Sequence, residues 1–220
     1  MLDCITLEPS SPATACVLWM HGLGADGTDF VPVVPELRLP AGHSVRFVFP
    51  NAPSMPVTIN GGYVMPAWYD IASAEIDKRA DEAGVRKSQA AISEQIADQR
   101  AKGIASERIV LAGFSQGGVI ALQTGLRHGE KLGGIMALST YLACVESVGT
   151  EASPANRDIA IFMAHGSMDA VIPVALAKLS KARLETHGYK IEWHEYGMPH
   201  SVCPEEIHEI GAFLNRVLAL

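Results

Sequence analysis

Gly113-Phe-Ser115-Gln-Gly117 sets a hydroxyl between two glycines, and the residues around it decide what that hydroxyl can do. The pattern G-x-S-x-G belongs to a serine held at a sharp turn between a strand and a helix. There it can attack a carbonyl carbon, given a base to take its proton and fixed donors for the charge that develops on the carbonyl oxygen. The flanks suit such a turn. Ile109-Val-Leu-Ala112 is a continuous apolar run, as in a strand buried on both faces. Val119, Ile120, Leu122 and Leu126 follow at helical spacing. Glycine at the neighbouring positions leaves room where a Cβ would collide. The pentapeptide alone is also readable as an ordinary turn whose serine caps the helix, so its partners decide.

In an open α/β sheet, functional groups collect beyond the carboxyl ends of the strands. After the apolar run 159–164 comes His165-Gly-Ser-Met-Asp169-Ala-Val-Ile-Pro173, a loop with one carboxylate. After residues 189–195 comes Tyr196-Gly-Met-Pro-His200-Ser, a loop with one histidine. The order Ser115, Asp169, His200 is nucleophile, acid, base: the imidazole takes the serine proton and the carboxylate orients the imidazole. Other candidates sit badly. His187 falls at a helix end, His194 within a strand, His208 beside an apolar stripe, and Asp158 before its strand, at the wrong edge of the sheet. Backbone N–H groups for an oxyanion come from Gln116, at the positive end of its helix, and from Leu23 in His21-Gly-Leu-Gly24, where glycines let the backbone approach. His21 has no second ligand at zinc spacing, so no metal is expected, and this chemistry calls for no cofactor.

Such loops need strands that end on one side. Residues 2–7 read as an edge strand, and 15–20, 45–49, 109–112, 133–138, 159–164 and 189–195 as further strands. Helices are expected over 28–37 with Asp26 or Thr28 as cap, over 75–102 with Gly84 breaking its start, after the serine, over 174–187, and from Pro204 to 218. Strands alternating with helices argue a mainly parallel sheet covered on both faces, in one α/β domain over residues 1–220. Residues 145–158 read as a polar excursion. Pro50 to Asp70, with prolines at 50, 53, 56 and 66, reads as a long irregular loop. Met55, Tyr63, Met65, Trp68 and Tyr69 give it enough apolar surface to wall a groove, or simply to pack across the sheet edge.

Composition narrows the partners. With 48% hydrophobic and 19% charged residues, a net charge of −7 and no Lys/Arg cluster, the 220-residue chain reads as a soluble globular protein that binds neither nucleic acid nor anionic membrane. No leader pattern and no run of about eighteen apolar residues is visible. Cys4, Cys16, Cys144 and Cys203 lack metal or C-x-x-C spacing, so reduced thiols in the cytoplasm are expected.

Taken together, His21-Gly-Leu-Gly-Ala-Asp-Gly27, Asn51-Ala-Pro53, Gly61-Gly62, Trp68-Tyr-Asp70, Gly113-Phe-Ser-Gln-Gly-Gly118, Leu138-Ser-Thr-Tyr141 and the Asp169 and His200 loops resemble the carboxylesterase and acyl-protein thioesterase family, also called the phospholipase/carboxylesterase family. The likeness runs over about residues 2–218. It implies an α/β-hydrolase fold with little lid, often dimeric, acting on small-molecule carboxylic esters or acyl thioesters and on lipidated proteins. It puts the nucleophile, acid and base on Ser115, Asp169 and His200, and the oxyanion donors on Leu23 and Gln116. It also places the 50–70 segment near the site, so that Met65 and Trp68 are expected to touch the acyl group, with Val171 on the opposite wall. One departure is Pro199, which stands where the family often has glycine before the base and which restricts the backbone there. The competing readings are a lactone- or dienelactone-type hydrolase, which usually presents cysteine at the elbow, and a catalytically silent fold used for binding.

Overall fold

The computed structural model describes residues 1–72 and 81–220. Its strands are β1 (Cys4–Leu7), β2 (Ala15–Met20), β3 (Val45–Pro50), β4 (Ser54–Val57), β5 (Tyr63–Pro66) and β6 (Ile109–Phe114). They continue with β7 (Gly134–Leu138), β8 (Ile161–Gly166) and β9 (Ile191–Tyr196). Among the described residues seven of them make one sheet in the order β1-β3-β2-β6-β7-β8-β9. Only β1 runs antiparallel to its neighbour; the other pairings are parallel, with β6 held between β2 and β7. Parallel strands need crossovers, and the helices α1 (Glu82–Ala101), α2 (Gln116–Arg127), α3 (Val148–Glu151), α4 (Val174–Thr186) and α5 (Pro204–Leu218) lie on the connections and at the end of the chain.

Alternation along each strand divides the core in two. Cys16, Leu18, Met20, Ile109, Leu111, Ile135, Ala137 and Met163 meet Val85, Ile92 and Ile96 of α1, Val119 and Leu122 of α2, and Leu184 of α4 on one face. Val17, Trp19, Val110, Ala112, Met136, Leu138 and Phe162 meet Ile210, Phe213, Leu214 and Leu218 of α5 on the other. A strand buried on both sides has no polar position to give up, which is why β6 is apolar throughout its first four residues. Truncating a fully buried side chain such as Leu111 to alanine would cost about 2–5 kcal/mol.

Several expectations change. The segment expected as a helix over 28–37 is a 3₁₀ turn at Val31–Leu37, because Pro32 and Pro35 remove the N–H groups an α-helix needs. The long helix starts at Glu82; residues 73–80 lie outside the described ones. Gly84 does not break it. It lies in the first turn, where a Cβ would come within 3.0 Å of Tyr69 Cβ, so glycine serves close packing there. The Pro50–Asp70 segment is not structureless: β4 and β5 form an antiparallel hairpin, with Ser54 opposite Pro66 and Val57 opposite Tyr63. Proline masked it in the sequence, yet a two-stranded ribbon tolerates proline wherever no ladder N–H is required. The 145–158 excursion is short helical turns tied down by charge. Arg127 Nε donates to Glu151 (2.7 Å) and its Nη2 to Ser147 Oγ (2.8 Å).

Candidate active site

β6 ends at Phe114 and α2 begins at Gln116, so Ser115 alone makes the bend. Its φ of 55° and ψ of −119° put an L-residue in a region that costs of order 1–3 kcal/mol. Hydrogen bonds to its backbone hold it there. Ser115 N donates to Leu138 O (2.9 Å), while Ser115 O accepts from Gly118 N (3.0 Å) and Thr140 Oγ1 (2.7 Å). The glycines are steric necessities. A Cβ on Gly113 would stand 2.1 Å from the Gly117 carbonyl, and one on Gly117 would stand 2.3 Å from Met20 O. Strand β6, loop and helix are thus pressed together, and the serine projects from the crest.

Asp169 follows β8 and His200 follows β9, both at the carboxyl ends of their strands. Asp169 Oδ1 accepts from Val171 N and Ile172 N, each at 2.8 Å, which fixes the carboxylate plane. Its Oδ2 lies 2.6 Å from His200 Nδ1. A carboxylate accepts, so Nδ1 carries the hydrogen and Nε2 is left with its lone pair, the tautomer a general base requires. The ring of Phe114 backs the imidazole at 4.7 Å between centroids. Proline before the base does not prevent this. The loop is held instead by Met198 N to Tyr196 O (2.8 Å) and Ser201 N to Pro199 O (2.9 Å), neither of which needs an N–H at 199.

One neighbour escaped the sequence reading. His165, at the end of β8, is buried, and its Nε2 donates to Ile172 O (2.8 Å) while lying 3.3 Å from Asp169 Oδ2. Burial lowers its pKa, so it stands as a neutral imidazole with its N–H beside the acid. A histidine at the end of a buried strand, four residues ahead of the acid, was the available signal.

Ser115 and His200 line one cavity of about 280 Å³. No hydrogen bond joins them among the described residues; in unliganded sites such bonds are commonly long and tighten with substrate. Leu23 and Gln116 line the same cavity, and among the described residues neither backbone N–H has a protein acceptor. Two unspent donors beside a serine are what a developing oxyanion needs. His21 supports this loop. Its Nδ1 donates to Gly22 O (2.7 Å) and its Nε2 accepts from Ala52 N (3.0 Å), so both ring nitrogens are occupied and neither is open to a metal. Gln116 also ties down the neighbouring wall, its side chain accepting from Trp68 N (3.0 Å) and donating to Tyr69 O (2.9 Å).

Val171, one of the residues expected to touch the acyl group, lines the cavity, whereas Met65 and Trp68 do not line it. Trp68 lies behind the wall, with its indole N–H donated to His21 O (2.9 Å), and Met65 packs toward Gly24. The apolar wall is built from Tyr69, Ile71, Tyr141, Val171 and Ile172. Asp29 also lines the cavity and was not singled out in the sequence.

Sheet order, elbow and strand-end loops together define an α/β-hydrolase fold. Residues 3–218 match the phospholipase/carboxylesterase family model, and the chain belongs to that family of hydrolases. Acyl-protein thioesterase 1 of Mycosarcoma maydis is 39% identical over 235 residues, covering 99% of this chain and 98% of the relative. Acyl-protein thioesterase 2 of Zea mays superposes with a TM-score of 0.87 at 27% identity, over 99% of this chain and 100% of that one. The esterase PE8 does so with a TM-score of 0.85 at 30% identity, over 99% of each.

Proposed function

We propose that the protein cleaves carboxylic esters and acyl thioesters through an acyl-enzyme on Ser115, with His200 as base and then acid, Asp169 as its orienting acid, and Leu23 and Gln116 as oxyanion donors. His200 Nε2 takes the hydroxyl proton as Oγ bonds to the carbonyl carbon, and the carbonyl oxygen gathers charge between the two backbone N–H groups. The tetrahedral intermediate collapses, the C–O or C–S bond breaks, and His200 returns its proton to the departing alcohol or thiol. Water then attacks the acyl carbon as His200 takes its proton, and His200 returns that proton to Ser115 Oγ as the C–O bond to the serine breaks and the acid leaves. The reading rests above all on one observation: a tautomer-fixed imidazole, a strained serine and two acceptor-free N–H groups share one cavity.

The acyl group lies against Tyr69, Ile71, Tyr141, Val171 and Ile172, a wall that accepts chains of different length with graded preference, since one methylene is worth only about 1–3 kcal/mol. Small acyl esters and thioesters fit it, and lipidated proteins enter as substrates by way of the acyl-protein thioesterase relatives. The protein acts as one catalytic domain, in a reducing compartment that suits its four free cysteines, and as a homodimer whose state sedimentation measures. Fluorophosphonate labelling and pre-steady-state hydrolysis of p-nitrophenyl butyrate test the mechanism. The wild type reacts at Ser115 and releases a burst of p-nitrophenol, while Ser115→Ala folds, does not label and gives no burst. Turnover persisting in Ser115→Ala at a similar rate rejects the nucleophile.

A further inference from the structure

The cavity lining is uneven in charge. Tyr69, Ile71, Tyr141, Val171 and Ile172 bring it uncharged, largely apolar surface, whereas Asp29, from the same loop as Leu23 and Ala25, brings a carboxylate. Among the described residues Asp29 is the only carboxylate that lines the cavity, and no described lysine or arginine lines it. It forms no ion pair among the described residues, and the titratable groups that act on it are the buried His21 and Asp26. Asp29 is exposed at the edge of the cavity, and partial desolvation raises its carboxyl above the ordinary value, with His21 opposing the shift and Asp26 adding to it.

Position says which half of the substrate meets this charge. The departing atom receives its proton from His200, so the leaving group must lie on the imidazole's side of the cavity. The Phe114 ring tilts against His200 at 4.7 Å between centroids, Phe30 packs on Phe114 at 5.7 Å, and Asp29 immediately precedes Phe30 in the chain. The loop that carries Asp29 is thus tied through two rings to the imidazole, and Asp29 lines the same cavity as His200 and Ser115.

We infer that Asp29 is a specificity-determining residue for the leaving group: it favours esters and thioesters of cationic alcohols and thiols, tolerates neutral ones, and disfavours anionic ones. This rests on the proposed acyl transfer at Ser115 and adds to it the chemistry of the half of the substrate that departs first. An exposed charge at the edge of a largely apolar cavity still biases ligands that bind within a Debye length of it, and salt screens that bias. The acyl-enzyme formed is the same for every leaving group, so the discrimination belongs to acylation alone.

Three butyryl thioesters of closely similar size test it, with thiocholine, 2-mercaptoethanol and 3-mercaptopropionate as the leaving thiols of charge plus one, zero and minus one. The readout is the ratio of kcat/KM between cationic and anionic substrates, which cancels any general loss of activity. The wild type should show a ratio of roughly tenfold at low salt, falling severalfold at high ionic strength as the charge is screened. Asp29→Asn should bring the ratio near unity, and Asp29→Glu, which keeps the charge, should restore most of it. An unchanged ratio in Asp29→Asn, or a wild-type ratio near unity at low salt, overturns the inference while leaving acyl transfer intact. Failure of all three substrates together with failure to label Ser115 rejects the underlying reading, and the inference with it.

Discussion

Two buried carboxyl groups lie past the ends of adjacent strands and are treated in opposite ways. In the loop after β8, Asp169 accepts two backbone N–H groups and His200 Nδ1, with His165 Nε2 at 3.3 Å from the same oxygen. Beyond β9, Glu206 is fully buried in the first turn of α5, and neither carboxyl oxygen has a hydrogen-bond partner among the described residues. A bonded carboxylate can be buried because its lone pairs are occupied; an unbonded one can be buried only by keeping a proton. The first arrangement builds a group that directs an imidazole. The second builds a group whose charge the fold resists. The difference lies in the neighbours, since both side chains are withdrawn from water.

Asp169 offers the most severe test of this contrast. Asp169→Asn keeps size and most bonds but places an NH₂ group where His200 Nδ1 now donates, so the imidazole turns to the wrong tautomer. Turnover of p-nitrophenyl butyrate should fall by about 10⁴-fold with little change in thermal stability. A loss under tenfold would mean that Asp169 does not govern the base.

His165 tests whether the acid's own support matters. It touches no reacting atom and acts through Asp169, so it is a positioning residue. Asp169, His200 and Glu195 are the titratable groups that bear on it, and the Trp193 ring lies nearly parallel at 6.5 Å. His165→Phe fills the space without the N–H. With that N–H gone, the carboxylate is held less firmly against the imidazole, so kcat should fall about tenfold at neutral pH while KM changes little. His165→Gln, which retains a donor, should recover part of the loss. An equal loss of kcat in both variants would reduce His165 to packing.

Much of this site was legible in the sequence, for a physical reason. Parallel strands place functional residues just past their carboxyl ends, so Ser115, Asp169 and His200 could be chosen by their place in the chain order, and the structure sets them around one corner of the sheet. The hairpin of β4 and β5 was hidden because proline is a poor guide to strands that need few ladder bonds. The apolar lining of the cavity was harder still. Trp68 and Tyr69 are adjacent, and only the packing of Trp68 beneath His21 decides that Tyr69 is the one to face the cavity. Tyr141 and Ile172 reach it from loops more than seventy residues down the chain from Tyr69, which no local pattern reveals. Asp29 and His165 were overlooked because each carries weight only through a neighbour brought by the fold.

The smallest expected effect concerns Glu206 and is read in stability. Burial pushes its carboxyl up to about 8, the nearby Cys203 N–H offsetting only part of that. The folded chain therefore retains a proton that the unfolded chain has already lost above the ordinary carboxylate range. Stability from this group is complete below that range and drains away as pH rises through about 8. Tyr196, whose hydroxyl is also buried without a partner and whose ionisation Glu206 opposes, gives the emerging charge no relief. Glu206→Gln stays neutral at every pH. Thermal unfolding should show the two proteins melting alike near pH 5, with the variant higher by about 5 °C near pH 9, because only the wild type must either hold its proton or bury a charge. Equal pH dependence in both would show that water or a relaxed loop reaches Glu206, and the contrast between the two carboxyl groups would then lie in solvent access and not in their hydrogen bonds.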